Sequence, residues 1–469
     1  MAAPARVAPP EAAAPAPVRL FGTDGISGLA GVVLTPELAL ALGAALAAEL
    51  AEELTAELAE GPQPASRRPA GPRPVVALGA DPRPSSPYLE AAVTAGLSAG
   101  GADVLRLGVV PTPVVAWVLA QGSADAGVMI SASHNPMPDN GLKVFGRGGF
   151  KLADAVEDHL ADRISAGPGA RPTGAAVGAV TARADVLASY ADALLATLPA
   201  ALTGLRVVVD CAHGAASAVA PEVYRRAGAE VVAIGTGDGV INDGVGATHL
   251  AALQAAVLAH GADVGIAHDG DADRCLAVAA DGAVVDGDQI LAILALTGGH
   301  PAVVTTVMAN LAFHHAMRAA GIRVVTTPVG DRYVLEAMQR EGIPLGGEQS
   351  GHVVLLDHAT TGDGLLTALQ LLGQVARSGR SLADLAAVVR PLPQVLLGCV
   401  VTDRAVAQDP AVLAAVAAAE AELGDAGRVL VRASGTEPLV RVMVEAGTPE
   451  HAHAVAARLA AVVDEVSAR

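Results

Sequence analysis

The sequence predicts an α/β protein of four units, three of them built on mixed, mainly parallel sheets. Short apolar strands alternate with Ala-rich stretches, the pattern of parallel strands joined by crossover helices. A valine-rich strand running into a small-residue turn recurs three times, as VVALGADPRPSS, VVVDCAHGAA and VVTTVMANLA. A proline-punctuated junction, RPLPQ at 390–394, then sets off a last segment.

Taken in order, residues 1–17 form an Ala/Pro tail that lacks the apolar centre of a signal peptide and is expected to be disordered. Thr35 can cap a helix, Pro36 suits its first turn and Glu37 its dipole, and the Leu/Ala pattern runs on to Gly61. GPQPASRRPAGPRP then reads as a loop before strands at 75–78, 103–107 and 126–130. Residues 165–180 are the most linker-like stretch inside the chain. Strands at 205–210, 230–234 and 263–266 make the second unit, and 303–307, 323–327 and 353–356 the third. The last segment reads as strands near 395–402, 428–432 and 440–445 with helices near 409–423 and 449–466.

Composition excludes several functions. Over 469 residues the net charge is −18, unsuited to a general nucleic-acid or anionic-membrane binder. Mean hydropathy is +0.46, but Ala inflates it and aromatics are only 2%. The longest uncharged stretch, 289–317, is broken by Gly298-Gly299-His300-Pro301, leaving pieces too short to span a bilayer. Cys211, Cys275 and Cys399 are odd in number and far apart, which fits reduced thiols in a cytoplasm. Lys143 and Lys151 are the only lysines among 30 basic residues. Where Arg serves elsewhere, a Lys is a candidate for chemistry that needs a compact, titratable charge.

Four segments carry chemistry. In AHDGDADRC (267–275), Asp269, Asp271 and Asp273 alternate, so an extended backbone would point their carboxylates one way. Such a cluster needs a cation, and hard oxygen ligands suit Mg²⁺ or Ca²⁺. An EF-hand does not fit, because its sixth position is Arg274 and its twelfth Ala280. In MISASHNPMPDNGLKVFG (129–146), a loop stiffened by Pro136 and Pro138 presents Ser133, His134 and Lys143. An activated hydroxyl there can carry a phosphoryl group, although SASHNP alone also reads as a plain turn. GGEQSGH (346–352) displays Glu348, Ser350 and His352, either for a polyhydroxylated ligand or as a polar connection between strands. RASGTEP (432–438) offers Arg432, Ser434, Thr436 and the backbone around Gly435 as donors for a second phosphate.

SASHNP, DGDADR, GEQSGH and RASGTEP in this order, with FGTDGISG (21–28) and TTGDG (360–364), resemble the α-D-phosphohexomutase superfamily and within it the bacterial phosphoglucosamine mutases. The likeness runs from Val18 to the C-terminus, and Gln349 stands where phosphomannomutase and phosphoglucomutase members more often have Met. It implies four domains around a central cleft: a phosphoserine domain (18–168), a metal domain (181–283), a sugar domain (284–389) and a C-terminal α+β phosphate domain (393–469).

The resemblance also implies roles. Ser133 carries the phosphoryl group and, with Asp269, Asp271 and Asp273, holds one Mg²⁺ per chain. Lys143, Arg274 and His134 stand near the transferring phosphate, with His352 as acid/base and Lys143 as a second candidate base. Glu348 and Ser350 meet sugar hydroxyls, and Arg432, Ser434, Gly435, Thr436 and Arg441 grip the distal phosphate. It further implies a phosphorylated hexosamine substrate, activation by Ser133 phosphorylation, a cytoplasmic homodimer, and supply of UDP-N-acetylglucosamine synthesis. Ser27 replaces an Arg usual in FGTDGIRG, and His268 and His213 stand where Phe and Asn are frequent. Phosphoglucomutase or phosphomannomutase activity, a Mg²⁺-dependent phosphatase and a non-catalytic sugar-phosphate sensor are the alternatives.

Overall fold

A computed structural model describes residues 19–22, 24–60, 73–167, 169–434 and 438–469. The expected tail and the loop at 61–72 lie outside the described residues. The first unit holds β1 (Ile26–Leu29), β2 (Val75–Ala80), β3 (Asp103–Val109), β4 (Ala126–Ile130), β5 (Asp139–Phe145) and β6 (Val180–Ala182), in the order β1-β5-β4-β2-β3-β6. The second holds β7 (Arg206–Asp210), β8 (Glu230–Ile234), β9 (Val264–Ala267), β10 (Leu276–Ala279) and β11 (Val284–Val285), in the order β11-β10-β9-β7-β8. The third holds β12 (Ala302–Thr306), β13 (Arg323–Thr327), β14 (Leu345–Gly347) and β15 (Val353–Leu355), in the order β13-β12-β14-β15. The fourth is an antiparallel sheet of β16 (Gln394–Val400), β17 (Arg428–Ala433) and β18 (Leu439–Glu445), with β18 central.

One topology underlies the first three units. In each, the first strand lies between the second and third, all parallel, and the next strand folds back antiparallel on the third. The recurring valine-rich strand of the sequence is the first strand of each set, β2, β7 and β12. The antiparallel return strands β5, β10 and β15 place a turn at the same point of each unit, and these three turns are the SASHNP, DGDADR and GEQSGH segments.

Local chemistry agrees with the element ends. The helix Pro36–Glu60 starts as expected, with Thr35 Oγ1 accepting from Leu38 N at 3.2 Å. The stretch at 165–180 is not a linker throughout. Its end enters β6, which pairs with β3, so the first sheet extends to Ala182, past the boundary expected at 181. At three residues, Val-Thr-Ala, this edge strand is too short to show a sequence pattern.

One apolar core runs through three units, joining Val115 and Leu119 to Tyr190 and Val223 and to Ile290, Leu365 and Leu369. The helix Gly364–Ser378 lies at its centre, buried from Gly364 to Val375, and its buried Gln370 Nε2 donates to Thr197 O at 2.9 Å. The fourth unit has a separate core around Val442, Val455 and Leu459. It joins the third through Glu445, whose Oε2 accepts from Leu311 N at 2.8 Å, and Arg428, whose Nη2 donates to Ala309 O at 2.8 Å. Among the described residues, no helix is long and apolar enough to cross a membrane.

The central helix is anchored by a buried polar pair. Asp363 caps it by accepting from Leu366 N at 2.9 Å, and Tyr190 Oη donates to Asp363 Oδ2 at 2.6 Å. Tyr190→Phe leaves the carboxylate buried with one donor fewer, at an expected cost of about 1–3 kcal/mol. Thermal denaturation should read a lower midpoint with an unchanged far-UV spectrum, and an unaltered midpoint would contradict the assignment.

Candidate active site

The three equivalent turns meet around one cleft of 290 Å³. The turn of the second unit locks onto that of the third through an antiparallel bridge between Arg274 and His352, with Cys275 N donating to Gly351 O at 2.9 Å. It meets the first unit where Thr112 N donates to Asp271 O at 2.9 Å, and the start of the central helix where Gly364 N donates to Ala272 O at 3.0 Å.

The carboxylates converge, though not by the extended backbone the sequence suggested. Residues 268–273 form a turn, with Ala272 in the left-handed region at φ 57°. Ligand oxygens of Asp269, Asp271 and Asp273 nevertheless lie within 4.8 Å of one another, all buried. Burial, then Asp273 and Asp271, push the Asp269 carboxyl well above its usual range, and burial with Asp271 raises Asp273. Burial acts on Asp271 as well, but the charge and hydrogen bond of Lys143 outweigh it and hold that carboxyl low. Asp271 Oδ1 and Asp273 Oδ1 have no hydrogen-bond partner. Unsatisfied carboxylate oxygens at this spacing fit a hard divalent cation.

Ser133 sits at φ 51° with its Oγ donating to Asp269 Oδ2 at 2.6 Å and 3.3 Å from His134 Nδ1. Burial and the nearby Arg274 charge lower His134 to about 4, so its ring is neutral near pH 7. Lys143 is not on the loop with Ser133 but on β5, opposite Met129 of β4. Its Nζ reaches Asp24 Oδ2 at 2.7 Å, Asp271 Oδ2 at 2.8 Å and Asp273 Oδ2 at 3.5 Å. Burial opposes its charge, but Asp24 and Asp271 raise it well above the usual lysine value. These anions favour the ammonium form of Lys143, a cation and donor at the cluster.

His352 is buried, with no hydrogen-bond partner on either ring nitrogen and Asp331 Oδ2 at 3.4 Å from Nε2. Glu348 lines the cleft and its Oε1 accepts from Gly330 N at 3.2 Å. Arg274 lines it too, with Nε 3.9 Å from both Asp269 and Asp273. Ser350 Oγ is buried and unpartnered, but Ser350 is not among the cleft-lining residues.

Arg432, Ser434 and Arg441 lie on the β17–β18 hairpin of the fourth unit and do not line this cleft. Arg432 stands directly opposite Arg441, and burial with that second guanidinium lowers the Arg432 pKa. Two cations facing each other across strands favour an anion between them. Gly435 and Thr436 lie outside the described residues.

Asp24, Thr112, Asn242, Arg83 and Asp331, in or beside the cleft, escaped the sequence reading. Asp24 bridges both lysines, bonding Lys143 and Lys151, while Lys151 also bonds Asp331. The scarcity of lysine was the one signal for Lys151. Thr112 Oγ1 donates to Asp271 Oδ2 at 2.6 Å. Asn242 Nδ2, from a loop of the second unit, donates to Ser133 O at 2.9 Å, and Arg83 Nη2 donates to the same oxygen at 3.0 Å. Ser27 is exposed on β1, lining the cleft. His268 is buried behind the carboxylates, bonded to Tyr224 Oη at 2.7 Å and Arg274 O at 3.0 Å, whereas His213 Nδ1 accepts from Gly237 N and Gly239 N.

Comparison with known proteins gives one answer. Residues 18–168, 188–282 and 286–392 match the phosphoglucomutase/phosphomannomutase alpha/beta/alpha domains I, II and III, and residues 396–462 match the C-terminal domain of the same family. The phosphoglucosamine mutase of Frankia casuarinae is 61% identical over 95% of this chain and 98% of its own. That of Streptomyces coelicolor is 56% identical over 94% and 98%. A phosphoglucomutase/phosphomannomutase family protein from Burkholderia thailandensis shares the fold at a TM-score of 0.75 and 23% identity, covering 95% of this chain and 97% of its own. Aspergillus fumigatus N-acetylphosphoglucosamine mutase, solved with GlcNAc-6P and magnesium, shares it at a TM-score of 0.59 and 19% identity, covering 76% and 93%. The chain belongs to the phosphoglucomutase/phosphomannomutase family, on the branch of the phosphoglucosamine mutases.

Proposed function

We propose that the chain interconverts glucosamine 6-phosphate and glucosamine 1-phosphate through a phosphoserine at Ser133 and a bisphosphorylated sugar. The observation that carries this reading is the Ser133 hydroxyl held 2.6 Å from Asp269 inside the buried carboxylate cluster. Asp269, Asp271 and Asp273, with an oxygen of phospho-Ser133, would hold one Mg²⁺. When bound, that ion supplies charge neutralisation for the phosphoryl group in flight.

In the forward step a sugar hydroxyl attacks phosphorus, the bond to Ser133 Oγ breaks, the hydroxyl proton passes to His352, and the released Ser133 Oγ takes up a proton in its place. Lys143 and Arg274 balance the charge on the equatorial oxygens, and positioning with electrostatics supplies most of the rate. His134, neutral at pH 7, can donate to a phosphate oxygen. Glu348 orients the sugar hydroxyls, and Ser350, whose Oγ is buried behind the cleft wall, would have to turn toward the cleft to join it. Arg432, Ser434, Gly435, Thr436 and Arg441 hold the phosphate that is not reacting, and the bisphosphate then exchanges its ends so that Ser133 recovers the other phosphate. On this reading residues 18–168 carry the phosphoserine, 181–283 the metal, 284–389 the sugar and 393–469 the distal phosphate. Free, buried Cys211, Cys275 and Cys399 support a cytoplasmic setting, and the family resemblance supports a homodimer.

Ser133→Ala removes the phosphoryl carrier and should lower kcat by about 10⁴-fold or more. A panel of glucosamine, glucose and mannose 6-phosphates, read as kcat/KM, should rank glucosamine first. Isomerisation by Ser133→Ala at the parent rate would defeat the mechanism, and a higher kcat/KM for glucose or mannose phosphate would defeat the substrate assignment.

Asp271→Asn removes one negative charge from the cluster and the anionic partner of Lys143. Titration calorimetry should find Mg²⁺ affinity lowered by about tenfold or more, the size of effect seen when the surroundings of a metal site are altered. The circular dichroism spectrum should be unchanged. Parental Mg²⁺ affinity would show that the ion is held elsewhere.

A further inference from the structure

Among the described residues, Ser133 is one of five non-glycine residues with positive φ, and its backbone is gripped from both sides. Its N–H donates to Ser131 Oγ at 2.9 Å, and Ser131 Oγ donates in turn to Asp81 Oδ2 at 2.7 Å. Its carbonyl accepts from Arg83 and from Asn242. Arg83 is 1% exposed, and all five of its N–H donors are spent here. Nε donates to Asp81 Oδ2 at 2.8 Å, and Nη1 donates to Pro136 O at 2.6 Å and Asp139 O at 2.9 Å. Nη2 donates to Ser133 O at 3.0 Å and Asn135 O at 2.8 Å. Asn242, itself at φ 61°, reaches across from the second unit to Ser133 O and, at 3.1 Å, to Asn135 O. Beside it, a Cβ added at Gly270 would come within 2.7 Å of Ser133 O, so the metal turn is pressed against the same carbonyl.

We infer that Arg83 and Asn242 are positioning residues which, through the Ser133 peptide, aim the serine Oγ at the carboxylate cluster. The inference rests on the reading of Ser133 as phosphoryl carrier. Neither side chain bonds the Ser133 hydroxyl or a carboxylate of the cluster. Each fixes the peptide that sets where Oγ points, and a left-handed serine without these donors would have a lower-energy backbone to fall back to. Arg83 supplies the grip from within the first unit. Asn242 supplies it from the second, so the aim of the nucleophile depends on how those two units dock.

The test uses the full chain with Asn242→Gly, which keeps the left-handed backbone but removes the carboxamide, and Arg83→Lys, which keeps the charge beside Asp81 but loses the planar fork. Each variant is measured for thermal midpoint, Mg²⁺ affinity, KM and kcat per phosphorylated Ser133, with the phosphorylated fraction counted by intact mass. Misplacing a reacting atom costs up to about 10²-fold. On that scale kcat per phosphoserine should fall about tenfold in Asn242→Gly and about a hundredfold in Arg83→Lys, with KM and Mg²⁺ affinity within about twofold of the parent.

A purely structural role would instead lower the midpoint and the active fraction and leave kcat per phosphoserine unchanged, which would overturn the inference. If Arg83→Lys does not fold, Asn242→Gly decides alone. The parent, measured alongside, separates two failures: isomerisation without phosphoserine turnover defeats the functional reading, and unaffected variants of a phosphoserine-dependent parent defeat only the positioning role.

Discussion

Asp269, Asp271 and Asp273 are buried with ligand oxygens within 4.8 Å of one another. Three anions that close, out of water, cannot all stay ionised without cations nearby. The cluster takes Lys143 at Asp271, Arg274 beside Asp269 and Asp273, and hydroxyls from Thr112 and Ser133. Lys143 is itself buried and needs anions, which brings in Asp24, and Asp24 brings in Lys151 and Asp331. A chain of alternating charge thus crosses from the second unit through the first to the third. Removing one member leaves a neighbour uncompensated, which is why the units are held together at the cleft by charge and behind it by a shared apolar core.

The repeated topology explains how such a site can be assembled. Each of the first three units turns back antiparallel after its third parallel strand, and that turn is the point of greatest chemical content in all three. Packing three copies with these turns facing one another brings a hydroxyl, a set of carboxylates and a Glu–His pair into one cleft. The fourth unit repeats none of this, and its contribution is the facing pair Arg432 and Arg441. On the proposed reading, division of the two phosphates between unlike sites suits a substrate that must be held at one end while it reacts at the other.

Much of this was legible in the sequence because the reacting groups are contiguous. DGDADR and SASHNP each carry their functional atoms within a few residues, so spacing and residue type suffice. The strands buried on both faces, such as β4 and β7, were equally plain. What the sequence concealed depends on distant contacts. Asp24 and Asn242 come from turns, Thr112 and Asp331 from the starts of helices, and they become site residues only when the units dock. Arg83 stood in ADPRPSS as one arginine in a turn, with nothing local to show that it is buried under the serine loop. Lys143 reads as a loop residue behind Pro136 and Pro138, whereas β5 pairs on both sides and carries it as a strand residue. Ala272 at positive φ could not be foreseen either, and it shows that the carboxylates converge by a tight turn and not by strand alternation.

The central claim is that the phosphoryl group on Ser133 passes directly to the sugar in the cleft. A single-turnover quench of the Ser133-phosphorylated, Mg²⁺-loaded enzyme with glucosamine 6-phosphate measures this. The account predicts that glucosamine 1,6-bisphosphate appears at the rate at which phosphoserine disappears, before glucosamine 1-phosphate accumulates. Release of inorganic phosphate in place of the bisphosphate, or isomerisation with the Ser133 phosphate untouched, would contradict it.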